Sequence, residues 1–115
     1  MKLFIYGTLK RGHSRAGAMN GQRFLGNVQT APQYRMFACG EYPGLFEADN
    51  GVSIEGELWD VDQACLDVLD ELEGTSINLF RRASVELQPT HENDQAVAYF
   101  YRRNTARLSD CGSYW

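Results

Sequence analysis

The sequence predicts an α+β domain in which a small, closed or strongly curved, mostly antiparallel β-barrel carries one main helix. Three observations predict this class. About six short apolar or alternating segments are separated by glycine, proline, asparagine or aspartate turns. One stretch has apolar residues at helical spacing. The length of 115 residues suits a single domain, residues 1–115, with one core.

The strands are predicted from runs of branched and aromatic residues. Residues 2–6 are typical of a strand buried on both faces. Residues 14–20 predict a short helical turn. Further strands are predicted at residues 23–30, 33–38, 52–59, 79–87 and 95–101. The last of these places Val97, Tyr99 and Tyr101 on one face and Ala96, Ala98 and Phe100 on the other.

The connections are predicted from turn residues. Residues 40–46 contain two glycines, a proline and two aromatics, and predict a loop that lines a site. Turns are predicted at residues 49–51 and 88–94. The strand that follows the first turn is expected to have a wetter face, which carries Glu55 and Glu57.

The main helix is predicted to begin near Asp62 and to end at Gly74. Asp62 is a suitable N-cap, although Asp60 with Gln63 is an alternative capping pair. A glycine directly after a periodic segment is a common helix stop.

Glu73 is the candidate catalytic residue of this helix. At about 100° per residue, it falls on the same side as the apolar residues Cys65, Leu66, Leu69 and Leu72, whereas Glu71 points to water. A carboxylate against apolar surface has a raised pKa, which suits a general base near neutral pH. The alternative is that the last turn frays and that Glu73 simply reaches solvent.

The loop Gly7–Gly12 follows the first strand directly. Such a loop can turn its backbone N–H groups toward an oxyanion or carboxylate, or it can be a plain exit from the strand. Its glycine spacing is that of a phosphate-binding P-loop, but His13-Ser14 stands where lysine followed by serine or threonine is required. Nucleotide binding is therefore not predicted.

Composition and charge exclude several other classes. The net charge of −4 gives no general attraction to nucleic acid or to an anionic membrane. No run of 18 apolar residues and no signal peptide is present, so a cytoplasmic location is the default expectation. Three cysteines and two histidines show no metal-ligand or triad spacing, and neither a metal nor a cofactor is predicted.

Five segments resemble the gamma-glutamylcyclotransferase-like family, in the family's order along the chain. They are residues 4–12 with Tyr-Gly-Thr-Leu, residues 42–45 with Tyr-Pro-Gly-Leu, residues 56–59 with Gly-Glu-Leu-Trp, residues 69–74 with Leu-Asp-x-x-Glu-Gly, and the ending at residues 112–115. The first and fourth elements together are fairly specific, and the ending is similar to that of small bacterial members.

This resemblance implies a cofactor-independent enzyme that converts a gamma-glutamyl amine or gamma-glutamyl amino acid into 5-oxoproline and the free amine. Glu73 would be the general acid/base. The substrate-binding residues would be Tyr6, Gly7, Thr8, Leu9, Tyr42 and Arg81. The oligomeric state and the leaving amine are not defined.

One departure leaves other functions open. Many family members have a tyrosine before the arginine that follows the catalytic helix, whereas this chain has Phe80 before Arg81. A non-catalytic member that binds a small acid is therefore one alternative. An anion-binding module that uses Gly7–Gly12 and the arginine pairs 81–82 and 102–103 is another, although such pairs are more often one inward anion contact and one solvated charge.

Overall fold

The structure, a computed structural model, describes residues 1–88 and 95–115. The predicted turn at residues 88–94 lies almost entirely outside these residues. The described elements are β1 (Lys2–Ile5), β2 (Arg23–Gln29), β3 (Tyr34–Ala38), β4 (Pro43–Glu47), β5 (Glu55–Asp60), α1 (Gln63–Leu72), β6 (Phe80–Val85) and β7 (Ala96–Tyr101), with short 3-10 turns at Ala16–Met19 and Thr75–Ile77.

The strands form a mixed sheet in the order β2-β5-β1-β7-β4-β3, with β6 paired to β7 outside this path. Strands β1 and β4 run parallel to β7, and the other pairs are antiparallel. Within residues 1–88 and 95–115, the end of β2 meets the segment after β6 only at an isolated bridge between Thr30 and Leu87. The predicted α+β class is therefore confirmed, as a strongly curved sheet that is not closed by a continuous ladder.

The pairing of β7 creates the space for the site. Strand β6 pairs with β7 along its whole length. The opposite edge of β7 is shared, because β1 pairs with Ala96 and Val97, whereas β4 pairs with Phe100. Strands β1 and β4 therefore separate near the end of β1, and the loop that follows β1 lies at this separation.

Two apolar clusters cover the two faces of the sheet. One lies inside the curve and includes Phe4, Tyr6, Leu45 and Phe100, and the other lies under α1 and includes Leu3, Ile5, Leu66, Leu69 and Tyr99. Strand β1 is thus buried on both faces, as predicted. The alternation predicted for residues 95–101 is also confirmed, since Ala96, Ala98 and Phe100 belong to the first cluster and Tyr99 to the second.

The predicted helix boundaries are confirmed. The Asp62 side chain accepts a hydrogen bond from the Cys65 N–H at 2.7 Å. Gly74 adopts a left-handed conformation with φ of 66°, which glycine reaches without a side-chain clash. The assignment of Leu72 to the apolar face of the helix is wrong, because Leu72 is 43% exposed. No helix in residues 1–88 and 95–115 is long and apolar enough to cross a membrane.

Two strand predictions are also wrong in part. Residues 43–47 form β4 and not a loop, because Pro43 stands at the first position of the strand, where its missing N–H is tolerated. A side chain at Gly44 would collide with Tyr101, so glycine is required there for close packing. The regular strand predicted from residue 52 begins only at Glu55, and Glu57 on its expected wet face is buried.

Candidate active site

Glu73 lies where α1 ends. Its backbone N–H still donates to the Leu69 carbonyl at 2.9 Å, so it is part of the last helical turn and is not frayed. Its carboxyl group is mostly buried, and this burial raises its pKa to about 7, while the positive charge of Arg15 acts in the opposite direction. The predicted pKa increase is confirmed. Glu71 is exposed, also as predicted.

Glu73 faces a narrow cleft between the loop after β1 and the start of β4, which we call the Glu73 cleft. It encloses about 30 Å³, room for about one or two water molecules. It is lined by Phe4, Ile5, Tyr6, Gly7, Thr8, Leu9, Arg15, Tyr42, Pro43, Glu73 and Tyr99. The structure therefore brings together every sequence-predicted site residue except Arg81.

Three consecutive residues of the loop, Gly7, Thr8 and Leu9, line this cleft. The carbonyl of Gly7 accepts the backbone N–H of Lys10 at 3.1 Å, and the carbonyl of Thr8 accepts the backbone N–H of Arg15 at 2.8 Å. By contrast, within the described part of the chain, the N–H groups of Gly7, Thr8 and Leu9 have no protein acceptor. Three adjacent donors without an acceptor can bind an oxygen atom that carries negative charge.

The Tyr6 side chain connects β4 and β7 at the floor of the cleft. Its hydroxyl donates to the Tyr99 carbonyl at 2.6 Å and accepts the Leu45 N–H at 3.2 Å. It thus bridges β7 and β4 where β1 leaves them. Burial, together with the negative charge of Glu73, raises the pKa of Tyr6 well above its usual value. The hydroxyl therefore stays protonated and serves the architecture, and the ring lines the cleft.

The far end of the loop is fixed by Glu57, a residue expected on a wet face of its strand. Glu57 Oε1 accepts the Arg11 backbone N–H and the Trp59 indole N–H, each at 3.1 Å, and Oε2 accepts Arg11 Nε at 3.1 Å. Only 6% of Glu57 is exposed. A buried carboxylate with three donors holds the loop against β5, since withdrawal of the loop would leave a charge without partners.

The end of the chain lies against the same loop. Lys10 is almost completely buried, and its ammonium donates to the Trp115 carbonyl at 3.0 Å and lies 3.8 Å from the centre of the Tyr114 ring. Burial lowers the pKa of this ammonium. The docking of Trp115 on the body of the domain, expected from the sequence, is confirmed, because Trp115 packs against the apolar cluster inside the curve of the sheet.

Of the two arginines after α1, one contacts an anion of the protein and the other is solvated, as predicted. The inward residue, however, is Arg82 and not Arg81, which was predicted to bind substrate. Arg82 pairs with Asp70 through two hydrogen bonds of 3.0 and 3.1 Å, and the Tyr99 hydroxyl donates to the same carboxylate at 2.7 Å. This connects the end of α1 to β6 and β7. Arg81 is the solvated member; it lies over the Phe100 ring and does not line the cleft.

Phe80, the residue at which the sequence departs from the resemblance, is buried behind the cleft. Its ring packs between Tyr42 and Tyr101, with centroid distances of 5.9 and 5.4 Å. It is not one of the lining residues. Phe80 therefore supports Tyr42 from behind and is not one of the groups around Glu73.

Two features of the described residues limit the chemistry. No group of three histidine, cysteine, aspartate or glutamate side chains converges as a possible metal site in residues 1–88 and 95–115. A larger depression of about 420 Å³ lies on the other side of the loop, where Lys10, Glu55 and Gln88 are among its lining residues. Glu73 does not line it, so the smaller cleft is the candidate active site.

Comparison with known proteins identifies the family. The model of the family described as "Gamma-glutamyl cyclotransferase, AIG2-like" matches residues 3–115. The chain belongs to this family. It is 32% identical over 114 residues to gamma-glutamylaminecyclotransferase A of Danio rerio, an alignment that covers 91% of this chain and 70% of the relative.

Solved structures of gamma-glutamylcyclotransferase relatives have the same fold. An AIG2-like protein from Mus musculus superimposes with a TM-score of 0.78 at 25% identity, over 99% of this chain and 87% of the mouse chain. Protein YtfP from Escherichia coli superimposes with a TM-score of 0.71 at 29% identity, over 98% and 93%. The protein is therefore an enzyme of the gamma-glutamylcyclotransferase type.

Proposed function

We propose that this enzyme converts a gamma-glutamyl amine or gamma-glutamyl amino acid into 5-oxoproline and the free amine, with Glu73 as general acid/base and without a cofactor. The observation that carries the proposal is the meeting of two features in one cleft. One is a carboxyl group with a pKa of about 7. The other is the set of backbone donors from Gly7 to Leu9 that have no acceptor in the described chain.

The reaction requires no nucleophile from the protein. The α-amine of the substrate attacks its own γ-carbonyl carbon, which forms the C–N bond of the five-membered ring. The tetrahedral intermediate then collapses, the bond to the original amide nitrogen breaks, and the amine leaves. No water is consumed, and the proton that the attacking amine loses when it becomes the ring amide balances the proton that the leaving nitrogen gains when it becomes the free amine.

Glu73 can perform both proton transfers. In its ionised form it accepts a proton from the α-amine as that amine attacks, and in its protonated form it donates this proton to the leaving nitrogen. A carboxyl group with a pKa of about 7 is populated in both forms near neutral pH, which is the condition for efficient acid–base catalysis. An ordinary exposed glutamate would be a much weaker base and almost never the acid.

The loop supplies the electrostatic part of the mechanism. The γ-carbonyl oxygen becomes an oxyanion when the amine attacks. Backbone N–H groups at Gly7, Thr8 and Leu9 are preorganised donors for it, since Glu57 and Lys10 fix the following residues. Tyr6 and Tyr42 contribute apolar walls. Because the cleft is narrow, a γ-glutamyl group enters only when lining side chains move apart. Once they have closed around it, they hold the α-amine of the substrate within reach of its γ-carbonyl carbon.

The anion-binding alternative has less support. Arg82 is engaged by Asp70, Arg102 donates to the Asn78 side chain and Arg103 donates to the Ile77 carbonyl. Three of the four paired arginines are therefore bound to groups of the protein itself.

The proposal is tested by incubating the protein with a panel of gamma-glutamyl amines and amino acids and measuring 5-oxoproline. Glu73→Gln should lower turnover by about two to four orders of magnitude, the usual share of acid–base catalysis. Glu71→Gln, on the same helix but exposed, is the matched control and should be close to wild type. Near-normal 5-oxoproline release by Glu73→Gln would refute the role of Glu73.

A further inference from the structure

Arg15 is the one cation among the residues that line the Glu73 cleft, and no sequence signal singled it out. Its side chain has no hydrogen-bond or ion-pair partner in residues 1–88 and 95–115. Glu73, the one anion of the same lining, experiences its charge, but the two groups form no ion pair within 4.0 Å. The five donors of the guanidinium are therefore available to a ligand in the cleft.

The backbone of Arg15 is held in place from two sides. Its N–H donates to the Thr8 carbonyl at 2.8 Å, which ties it to the loop, and its carbonyl accepts the Ala18 N–H at 3.0 Å, which starts the 3-10 turn. That turn is itself anchored, because Met19 is buried in the cluster under α1 and the Cys65 thiol contacts the Ala18 carbonyl at 3.7 Å. Arg15 therefore stands between the loop and α1, at the exposed side of the cleft.

We propose that Arg15 binds a carboxylate group of the gamma-glutamyl substrate at the mouth of the cleft. The inference rests on the proposed function, because the cleft must first accept such a substrate. A guanidinium binds a carboxylate through two parallel hydrogen bonds, a geometry that lysine cannot reproduce. No other charged lining residue attracts a carboxylate, since Glu73 repels it.

Two substrate groups have this chemistry. One is the α-carboxylate of the glutamyl unit, which every substrate of the class carries. The other is the carboxylate of a leaving amino acid, which gamma-glutamyl amines lack. In the second case Arg15 makes the enzyme prefer gamma-glutamyl amino acids or peptides to simple amines.

The kinetic experiment compares wild type, Arg15→Gln and Arg15→Lys on two matched substrates, gamma-glutamyl-alanine and gamma-glutamyl-ethylamine. Arg107→Gln is the control, because Arg107 is also exposed but does not line the cleft. Loss of a charge-assisted pair should raise KM about 10- to 100-fold in Arg15→Gln, with partial recovery in Arg15→Lys and no change in the control.

The pattern of the KM increase identifies the carboxylate. An increase with both substrates assigns Arg15 to the glutamyl α-carboxylate, and an increase with gamma-glutamyl-alanine alone assigns it to the leaving group. Unchanged KM for both substrates would overturn the proposal. So would a variant that changes only the pH profile of kcat, because Arg15 would then act solely on Glu73.

A binding measurement separates this proposal from the proposed function. Gamma-glutamyl-alanine is titrated into Glu73→Gln and into the double variant Glu73→Gln/Arg15→Gln, and no turnover is needed. A Kd at least about tenfold weaker in the double variant supports the role of Arg15, and equal affinities, or no binding to either variant, contradict it. Absence of 5-oxoproline formation by wild type with the whole substrate panel would instead contradict the proposed function.

Discussion

The substitution Glu73→Gln should make the protein more stable at alkaline pH while it removes catalysis. The reason is the difference between the folded and unfolded pKa of this carboxyl group, about 7 against an ordinary 4.5. Below pH 4.5 the group is protonated in both states and contributes nothing. Between the two values the unfolded chain releases the proton and the folded chain retains it, so the free energy of unfolding of wild type falls as pH rises. Above pH 7 the loss is complete.

The size of this effect follows from the pKa difference. Full linkage corresponds to about 3 kcal/mol. Because part of the Glu73 side chain still contacts solvent although most of it is buried, we expect solvent to reduce this to about 2 kcal/mol. For a domain of this size 1 kcal/mol corresponds to about 4 °C in Tm. The Tm of Glu73→Gln relative to that of wild type should therefore increase by about 8 °C as the pH is raised from 4.5 to 8.

The assay is thermal or urea unfolding of both proteins at several pH values. Glutamine is uncharged throughout, so the difference in unfolding free energy between variant and wild type should grow with pH, while other titrating groups cancel. Any constant cost of the amide in the cleft shifts the whole difference but not its slope. Glu71→Gln, exposed on the same helix, is measured beside it as the matched glutamate-to-glutamine control.

A constant difference for Glu73→Gln between pH 4.5 and pH 8 would refute the reasoning. It would mean that the carboxyl group has an ordinary pKa and is solvated in the folded protein. In the predicted case the same group provides the kinetic signature as well, since kcat/KM of wild type should rise through about pH 7 as Glu73 ionises.

Three further substitutions test the support of the cleft. Tyr6→Phe removes a hydroxyl that serves two buried main-chain groups and should cost about 1–3 kcal/mol in unfolding free energy; an unchanged urea midpoint would contradict the bridging role. Glu57→Gln places an amide N–H against Arg11 Nε and should lower both stability, by about 1–3 kcal/mol, and kcat/KM, whereas the exposed neighbour Glu55→Gln should lower neither. Gly7→Ala puts a methyl group 2.7 Å from the proline ring across the cleft and should reduce kcat/KM severalfold, measured as 5-oxoproline release; normal activity would show that the loop and β4 can separate freely.

The helix and its carboxylate were predictable because the relevant information is local. A 3.6-residue period, an aspartate cap and a terminal glycine are properties of twelve or so consecutive residues, and helix geometry converts them directly into a face and an end. Leu72 was assigned to that face by the same rule and is nevertheless exposed, because the body of the domain covers only part of the stripe. The alternation of β7 was predictable for the same local reason.

The errors concern positions whose surroundings come from distant segments. Residues 43–47 contain turn-forming proline and glycine, yet pairing with β3 and β7 makes them a strand. Adjacent arginines of a strand point to opposite faces, and only the packing of α1 decided that Arg82, and not Arg81, meets Asp70.

What could be read from the chain alone was the class of fold, the helix that ends in Glu73 and the loop that precedes Gly12. What required the folded arrangement was the position of Glu57 and Arg15. Glu57 is buried because a loop 46 residues earlier lies over it, and Arg15 lines the cleft because the chain bends back to the Thr8 carbonyl. Spacing rules describe neighbours along one element, whereas the burial and charge environment of these two side chains are set by elements that the sequence keeps apart.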